Sequence, residues 1–382
     1  MKRLEKEIGR VVRFPLSSIR YILRIAKLLF HQTLLAFDEL IGLFTLSLTR
    51  SSVQNISTRK KPLVLVCRFG KYGNGKNESM EKYCLDNTLE NFNVDIISFE
   101  WEQTTYSWLN KVRFIKYLVR NLPDIIVFSS YTSSSKRPIS QPGMRLLQNL
   151  KKKNYIPCSL VIWWDTCSNG FSKANLSKPD IFDLHVIMDN PRMDFESSEI
   201  CAVTRKKLLS LFTPYNSNSL FFPLQKDIGY SFLGQISSYR NNRKEFIDFL
   251  KQHDDRGYLS TDNRNRQISH EEMGQILGRS KIGINFAFSV DRNQLKGRVF
   301  EILFSGAMLL ESENKQTASL FENGKDYVSF TTKEDMTEKV KYYLANDQER
   351  NRIAESGRNT AIEKYNGTIF WQTIFKRLDL NV

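Results

Sequence analysis

The sequence predicts an α/β protein, two parallel-sheet domains facing each other across a cleft and preceded by an amphipathic helix. Three observations carry this. From residue 63 onward, short apolar runs of strand length alternate with helix-length stretches, the pattern of βαβ units. The alternation starts afresh near Gly229, and a chain of 382 residues suits two domains better than one. The first fifty residues follow another rule, with Leu, Ile and Phe interrupted by regularly spaced cations.

In that opening segment, residues 1–50, Arg10, Arg13, Ser17, Arg20, Arg24, Lys27 and His31 share one helical sector of about 100°. The remaining faces hold Ile19, Ile22, Leu23, Ile25, Leu28, Leu29 and Phe30. Arg20, Arg24, Lys27, Asp38 and Glu39 leave no uncharged run long enough to span a bilayer. A basic stripe on an apolar helix fits an element lying in a membrane interface. It equally fits a helix packed on the protein with its cations in solvent. Ser51–Lys61 (SSVQNISTRKK) reads as a polar linker.

The first domain is expected over 62–222. Its elements are the strand Leu63–Cys67, a glycine-rich turn at Gly70–Gly75, a helix near Glu78–Glu90 and the strand Val94–Phe99. A helix near Ser107–Arg120, the strand Asp124–Ser129 and a helix near Pro142–Lys152 follow. The strands Ser159–Trp164 and Phe182–Met188 close the series. The second domain is expected over 223–367. It holds the strand Tyr230–Leu233, a helix near Arg240–Gln252, Tyr258–Leu259, the helix Glu271–Leu277 and the strand Lys281–Phe286. Next come the helix Arg298–Ser305, strands at Ala307–Leu310 and Tyr327–Phe330, and helices near Lys333–Ala345 and Gln348–Tyr365. A last helix near Thr368–Leu378, within 368–382, is expected to return to the first domain. Both series read as Rossmann-like, so ligands belong beyond the carboxyl ends of the strands.

Composition narrows the function. Lys and Arg number 56 against 41 Asp and Glu, a net charge of +15 that favours an anionic partner. Outside the N-terminus there is no dense cationic patch interleaved with aromatics, so nucleic acid is not expected. Five cysteines without a CxxC and four scattered histidines argue against zinc and disulfides, and for a reducing, cytoplasmic setting.

Several residues could carry chemistry. Gly70, Gly73 and Gly75 form a loop that nearly matches G-x4-G-K-[ST], with Asn77 where the hydroxyl would stand. It serves either a nucleoside-triphosphate site or the acceptor side of a Rossmann-like domain. Asp165 and Asp189 each follow a strand, where a carboxylate could act as general base or merely cap a helix. Trp163 and Trp164 read as core, with Trp164 a candidate platform beside the cleft. No Asp-x-Asp occurs, which points to phosphate neutralisation by cations and helix N-termini rather than by metal. In Gln294–Glu311, Lys296, Gly297 and Arg298 precede a helix carrying Glu301. Cations at a helix start suit a diphosphate, and Glu301 could accept from ribose hydroxyls, or both could be structural.

The C-terminal half resembles the group 1 glycosyltransferase domain of the spore-maturation-protein-like (CgeB-like) transferases, which have the two-domain GT-B fold. The resemblance rests on Tyr230–Gln235 followed by Arg240 and Arg243, on Ile276–Asn285, on Gly297–Gly306, on Leu320–Tyr327 and on Tyr342–Gly357. It implies transfer of a sugar from a UDP- or GDP-linked donor to an acceptor hydroxyl of a glycan, lipid-linked saccharide or protein, without metal. It places donor binding on Gly234, Arg240, Lys296, Arg298 and Glu301, with Glu301 on the ribose and the cations on the diphosphate. Related retaining enzymes carry a Glu eight positions earlier, where this chain has Asn293. That departure also admits a non-catalytic partner protein that kept the fold.

Overall fold

The computed structural model describes residues 40–44, 59–69, 71–72, 77–78, 81–101, 107–129, 143–164, 181–188, 206–212, 215–216, 220–236, 243–261, 268–287, 295 and 297–380. The helix expected over residues 10–31, most of the 51–61 linker, and Gly70, Gly73, Gly75, Asp165, Asp189, Arg240, Asn293 and Lys296 lie outside them. The chain divides into two compact units. One comprises residues 1–56, 101–122 and 132–156; the other comprises 57–100, 123–131 and 157–382 and carries the two large sheets.

The first sheet has six strands in the order β4-β1-β5-β6-β7-β8. These are β1 (Leu63–Phe69), β4 (Asp95–Trp101), β5 (Ile125–Ser129), β6 (Cys158–Trp163), β7 (Leu184–Ile187) and β8 (Leu208–Ser210). From β1 through β8 the neighbours pair in parallel. Every residue of β5 (IIVFS) is buried, as a central strand covered on both faces requires. Carboxylates fasten the strand starts: Leu63 N donates to Asp124 at 2.7 Å, and Ser159 N to Asp183 at 2.9 Å.

The second sheet is all parallel in the order β10-β9-β11-β12-β13. Its strands are β9 (Ile228–Gly234), β10 (Gly257–Thr261), β11 (Ser280–Asn285), β12 (Met308–Ser312) and β13 (Val328–Phe330). Three of the helices that follow these strands begin on polar N-caps. Ser269 Oγ accepts from Glu272 N at 3.1 Å, Thr332 Oγ1 from Asp335 N at 3.1 Å, and Asn366 Oδ1 from Ile369 N at 2.9 Å.

One boundary differs from expectation and one strand was not expected. Lys71–Tyr72 (β2) pairs antiparallel with Asn77–Glu78 (β3), so the chain forms a small hairpin where the helix near Glu78–Glu90 was to begin. From residue 81 to 89 the chain is helical without a break, as a π-helical segment, Lys82–Asp86, and α1 (Asn87–Leu89), so the expected helix is present with a later start. The half-buried three-residue strand β8 gave no sequence signal.

The remaining helices are α2 (Ser107–Asn121) and α3 (Met144–Lys152) in the smaller unit, then α4 (Arg243–His253), α5 (His270–Arg279), α6 (Gly297–Phe304), α7 (Lys315–Ala318), α8 (Lys333–Ala345), α9 (Asp347–Lys364) and α10 (Gly367–Arg377). α10 ends the chain's path against α1. Trp371, fully buried, donates Nε1–H to Thr88 Oγ1 at 2.7 Å, and Gly367 N donates to Tyr215 O at 2.9 Å.

Candidate functional site

Strand carboxyl ends and helix N-termini share one edge of a parallel sheet, and it is there that ligands bind. On the second sheet this edge presents Gly234 at the end of β9, Asn285 at the end of β11 and Glu311 in β12. Asn285 and Glu311 are register partners, and Asn285 Nδ2 donates to Glu311 Oε1 at 2.7 Å in a buried pair. α6 starts at the same edge after β11. Its apolar residues Val299, Ile302 and Leu303 enter the core. Gly283 of β11 leaves room for Ile302, since a Cβ there would lie 2.6 Å from Ile302 Cγ2. That packing fixes the rotation of α6 and so the direction of Glu301.

Glu301 is buried, with 6% of its surface exposed. Tyr215 donates its hydroxyl to Glu301 Oε1, and Arg298 Nη1 lies 2.6 Å from Oε2, three residues back on the same helix. The Arg298 guanidinium also rests on Met273 Sδ. Tyr215 comes from the segment after β8, and its ring meets Phe221 and Phe304 edge-on, with centroids 5.0 and 6.3 Å away. Burial pushes the Tyr215 phenol well above its ordinary pKa, and the Glu301 charge reinforces the shift. Tyr215 therefore remains a neutral donor. Burial, then Glu301 and Glu81, likewise raise the Cys84 thiol, which stays protonated. A carboxylate is thus held by one phenol and one guanidinium, an arrangement that fixes its direction.

A second cation organises the same edge. Arg243, the first residue of α4, donates from Nη2 to Phe286 O at 3.0 Å and from Nη1 to Gln235 O at 3.4 Å. It lies 5.7 Å from the Phe286 ring centroid and so ties the ends of β9 and β11 together.

The structure therefore joins Arg298 to Glu301, the pair singled out in the sequence, and puts Gly234 at the strand end. A Cβ at Gly234 would stand 3.1 Å from the Phe232 ring. In the first sheet, Arg68 at the end of β1 is spent on Asp86 (2.8 Å) and Glu100 (3.3 Å). Trp163 is core, its Nε1 donating to His185 at 3.3 Å, while half-buried Trp164 is tethered to Ser129 Oγ at 2.7 Å. The triphosphate-loop alternative is not met: that motif needs its Lys and the following residue at a helix start, whereas Asn77 lies in β3 opposite Tyr72. Among the described residues no group of three His, Cys, Asp or Glu could hold a metal ion. Sequence reasoning missed Tyr215, which carries no local motif, and the Asn285–Glu311 pair, which becomes visible only once strand register is known.

Residues 233–375 match the family model described as glycosyl transferase-like. No curated protein matches the sequence. Among solved structures, Anabaena HepE in complex with UDP and glucose is 12% identical, with a TM-score of 0.56 over 84% of this chain and 99% of that one. Sucrose-phosphate synthase from Thermosynechococcus elongatus is 10% identical, with a TM-score of 0.56 over 84% and 99%. An α-glucosyltransferase solved with UDP-glucose and DNA containing an abasic site is 12% identical, with a TM-score of 0.57 over 84% and 100%. These likenesses give the fold, that of the GT-B glycosyltransferases. The family match covers the C-terminal segment, residues 233–375, which is similar to glycosyl transferase-like domains.

Proposed function

We propose that this chain transfers a sugar, of hexose type, from a nucleotide-diphosphate donor to an acceptor hydroxyl without a metal ion. The donor occupies the carboxyl edge of the second sheet. The observation that carries this reading is the buried Glu301 carboxylate at the start of α6, within the matched segment, oriented by Arg298 on the same helix and by Tyr215. Its remaining lone pairs accept from the donor ribose. The diphosphate meets Arg298 and the flanking Lys296 and Arg240, with the α6 N-terminus supplying partial positive charge. The acceptor, a glycan or lipid-linked saccharide, enters from the first domain, where the Gly70–Gly75 loop and Asp165 stand after their strands and Asp165 serves as general base. Residues 1–50 hold the enzyme to an anionic membrane surface on its cytoplasmic face. A role in polysaccharide biosynthesis follows from such an acceptor.

Calorimetric titration tests the donor grip. Glu301→Gln keeps the shape and removes the charge, so nucleoside and nucleoside diphosphate should both bind about 10- to 150-fold more weakly, the equivalent of about 1.5–3 kcal/mol. Arg298→Ala should also lower the preference for diphosphate over nucleoside. A Glu301→Gln protein that binds nucleotide normally but melts early would make Glu301 a helix-start residue only.

A further inference from the structure

The net charge of the chain is concentrated in its smaller compact unit. Residues 1–56, 101–122 and 132–156 hold 19 of the 56 Lys and Arg but only 5 of the 41 Asp and Glu, a balance of +14. The remaining residues stand at +1.

Part of this charge has a described geometry. α2 exposes Leu109, Arg113, Lys116 and Arg120, spaced four, three and four residues apart and therefore on one face. α3 exposes Arg145, Gln148 and Lys152 at spacings of three and four, with exposed Lys153 just beyond. Neither helix contains an acidic residue. Lys116, Arg120, Arg145, Lys152 and Lys153 have no ion-pair partner among the described residues. In the larger unit some exposed cations are paired, as in Lys244–Asp248, Arg279–Asp227 and Lys325–Glu322. Unbalanced cations on adjacent crossover helices repel one another, a cost that an anionic surface relieves.

Exposed apolar side chains fall in the same unit. Four large ones stand out among the described residues. Leu40 (59% exposed), Phe44 (65%) and Leu109 (39%) belong to this unit, and only Tyr342 lies elsewhere. Leu40 and Phe44 flank a helical turn at residues 40–44 that lies against α3. A Cβ at Gly42 would stand 2.7 Å from Leu146 Cδ2, so the glycine permits the close approach.

We propose that α2, α3 and the 40–44 turn form a docking surface for an anionic lipid bilayer. The cations meet the headgroup phosphates, and Leu40, Phe44 and Leu109 enter the interfacial layer. A duplex nucleic acid would use the cations but not the exposed Leu and Phe. The proposal shares its partner with the reading of residues 1–50; its cations on α2 and α3 lie outside that segment while Leu40 and Phe44 lie within it, and the two sets of cations are tested separately.

The test is sedimentation of the full chain with phosphatidylglycerol-containing vesicles, against pure phosphatidylcholine vesicles and a short DNA duplex. In one variant Lys116, Arg120 and Lys152 become Gln; in a second Arg20, Arg24 and Lys27 become Gln; in a third Leu40 and Phe44 become Ser. Each cation near an anionic surface is worth about fivefold, so the first variant should partition on the order of 100-fold less onto anionic vesicles. The third variant should also bind less, and melting should be unchanged because all these described positions are exposed. Undiminished vesicle binding by the first variant overturns the proposal. If the second variant then falls, the reading of residues 1–50 stands alone. Loss in the first variant with binding retained in the second supports the proposal and removes that reading. A wild-type chain that ignores anionic vesicles yet binds duplex through Lys116, Arg120 and Lys152 also overturns it.

Discussion

Glu301 has its two oxygens assigned to different partners, and the partners differ in what they contribute. Arg298 supplies charge, while Tyr215 supplies a proton it cannot lose at neutral pH, because burial and Glu301 both raise its pKa. Tyr215→Phe leaves the ring against Phe221 and Phe304 and deletes only the donor. It should cost about 1–3 kcal/mol in urea denaturation, the range for a hydrogen bond to a charged acceptor left unmade. In a Glu301→Gln background the same change should cost far less, and an equal cost in both backgrounds would separate the two residues. Lys226 offers a pH test. Its ammonium donates to Gly278 O (2.7 Å) and Ser305 O (2.8 Å), the carbonyl ends of α5 and α6. Burial, then Arg350 and Arg358, lower its pKa from 10.5 to about 8. Below about 8 the folded state carries the full cost of a charge it disfavours. Between about 8 and 10.5 the unfolded chain keeps the proton that the folded chain has lost, so this group's contribution to stability rises with pH. Stability of the wild type relative to Lys226→Met should therefore increase from pH 8 to 10, as read by chemical denaturation at each pH.

At the scale of elements, close approach decides what each helix tolerates. α9 crosses α6 at Gly357, where a Cβ would stand 2.1 Å from Asp326 O and 2.8 Å from Leu303 Cδ2. Gly357→Ala removes a helix-weakening glycine, yet it should destabilise by about 1–3 kcal/mol through overpacking, as thermal or urea unfolding would show. Elements of this kind were largely legible. β5, β11 and β12 are apolar runs of strand length, and α5, α8 and α10 fall where helix-length stretches were expected. The stretch after Glu78 was legible as helix but not in its π-helical form. Thr88 turns its hydroxyl back onto Cys84 O and Leu85 O, which loosens the helical ladder, while Trp371 binds that same oxygen from 283 residues away. No local window contains both partners. The site divides in the same way: the three-residue spacing of Arg298 and Glu301 is written in the sequence, whereas Tyr215 reaches Glu301 only through the fold.

Across the molecule, Trp371 joins the last helix to the first sheet's connecting segment. It is buried at 0% exposure and stacks on Phe375, with Phe370 edge-on. Trp371→Ala should cost about 3–5 kcal/mol, the range for emptying a large aromatic site. Trp371→Phe should cost less, because the ring volume is mostly kept and only the bond to Thr88 is lost. Both losses are read by equilibrium unfolding.

That contact also sets an order in time. Thr88 leaves the ribosome long before Trp371, and at about 5–20 residues per second the interval is roughly 15–60 s. From the emergence of β8 until that of Trp371 the first sheet has its strands but lacks the aromatic residues that cover α1. A nascent chain halted after α9 would show this bare apolar surface to chaperones and proteases, although the second sheet would already be whole. The protein therefore completes its first domain last.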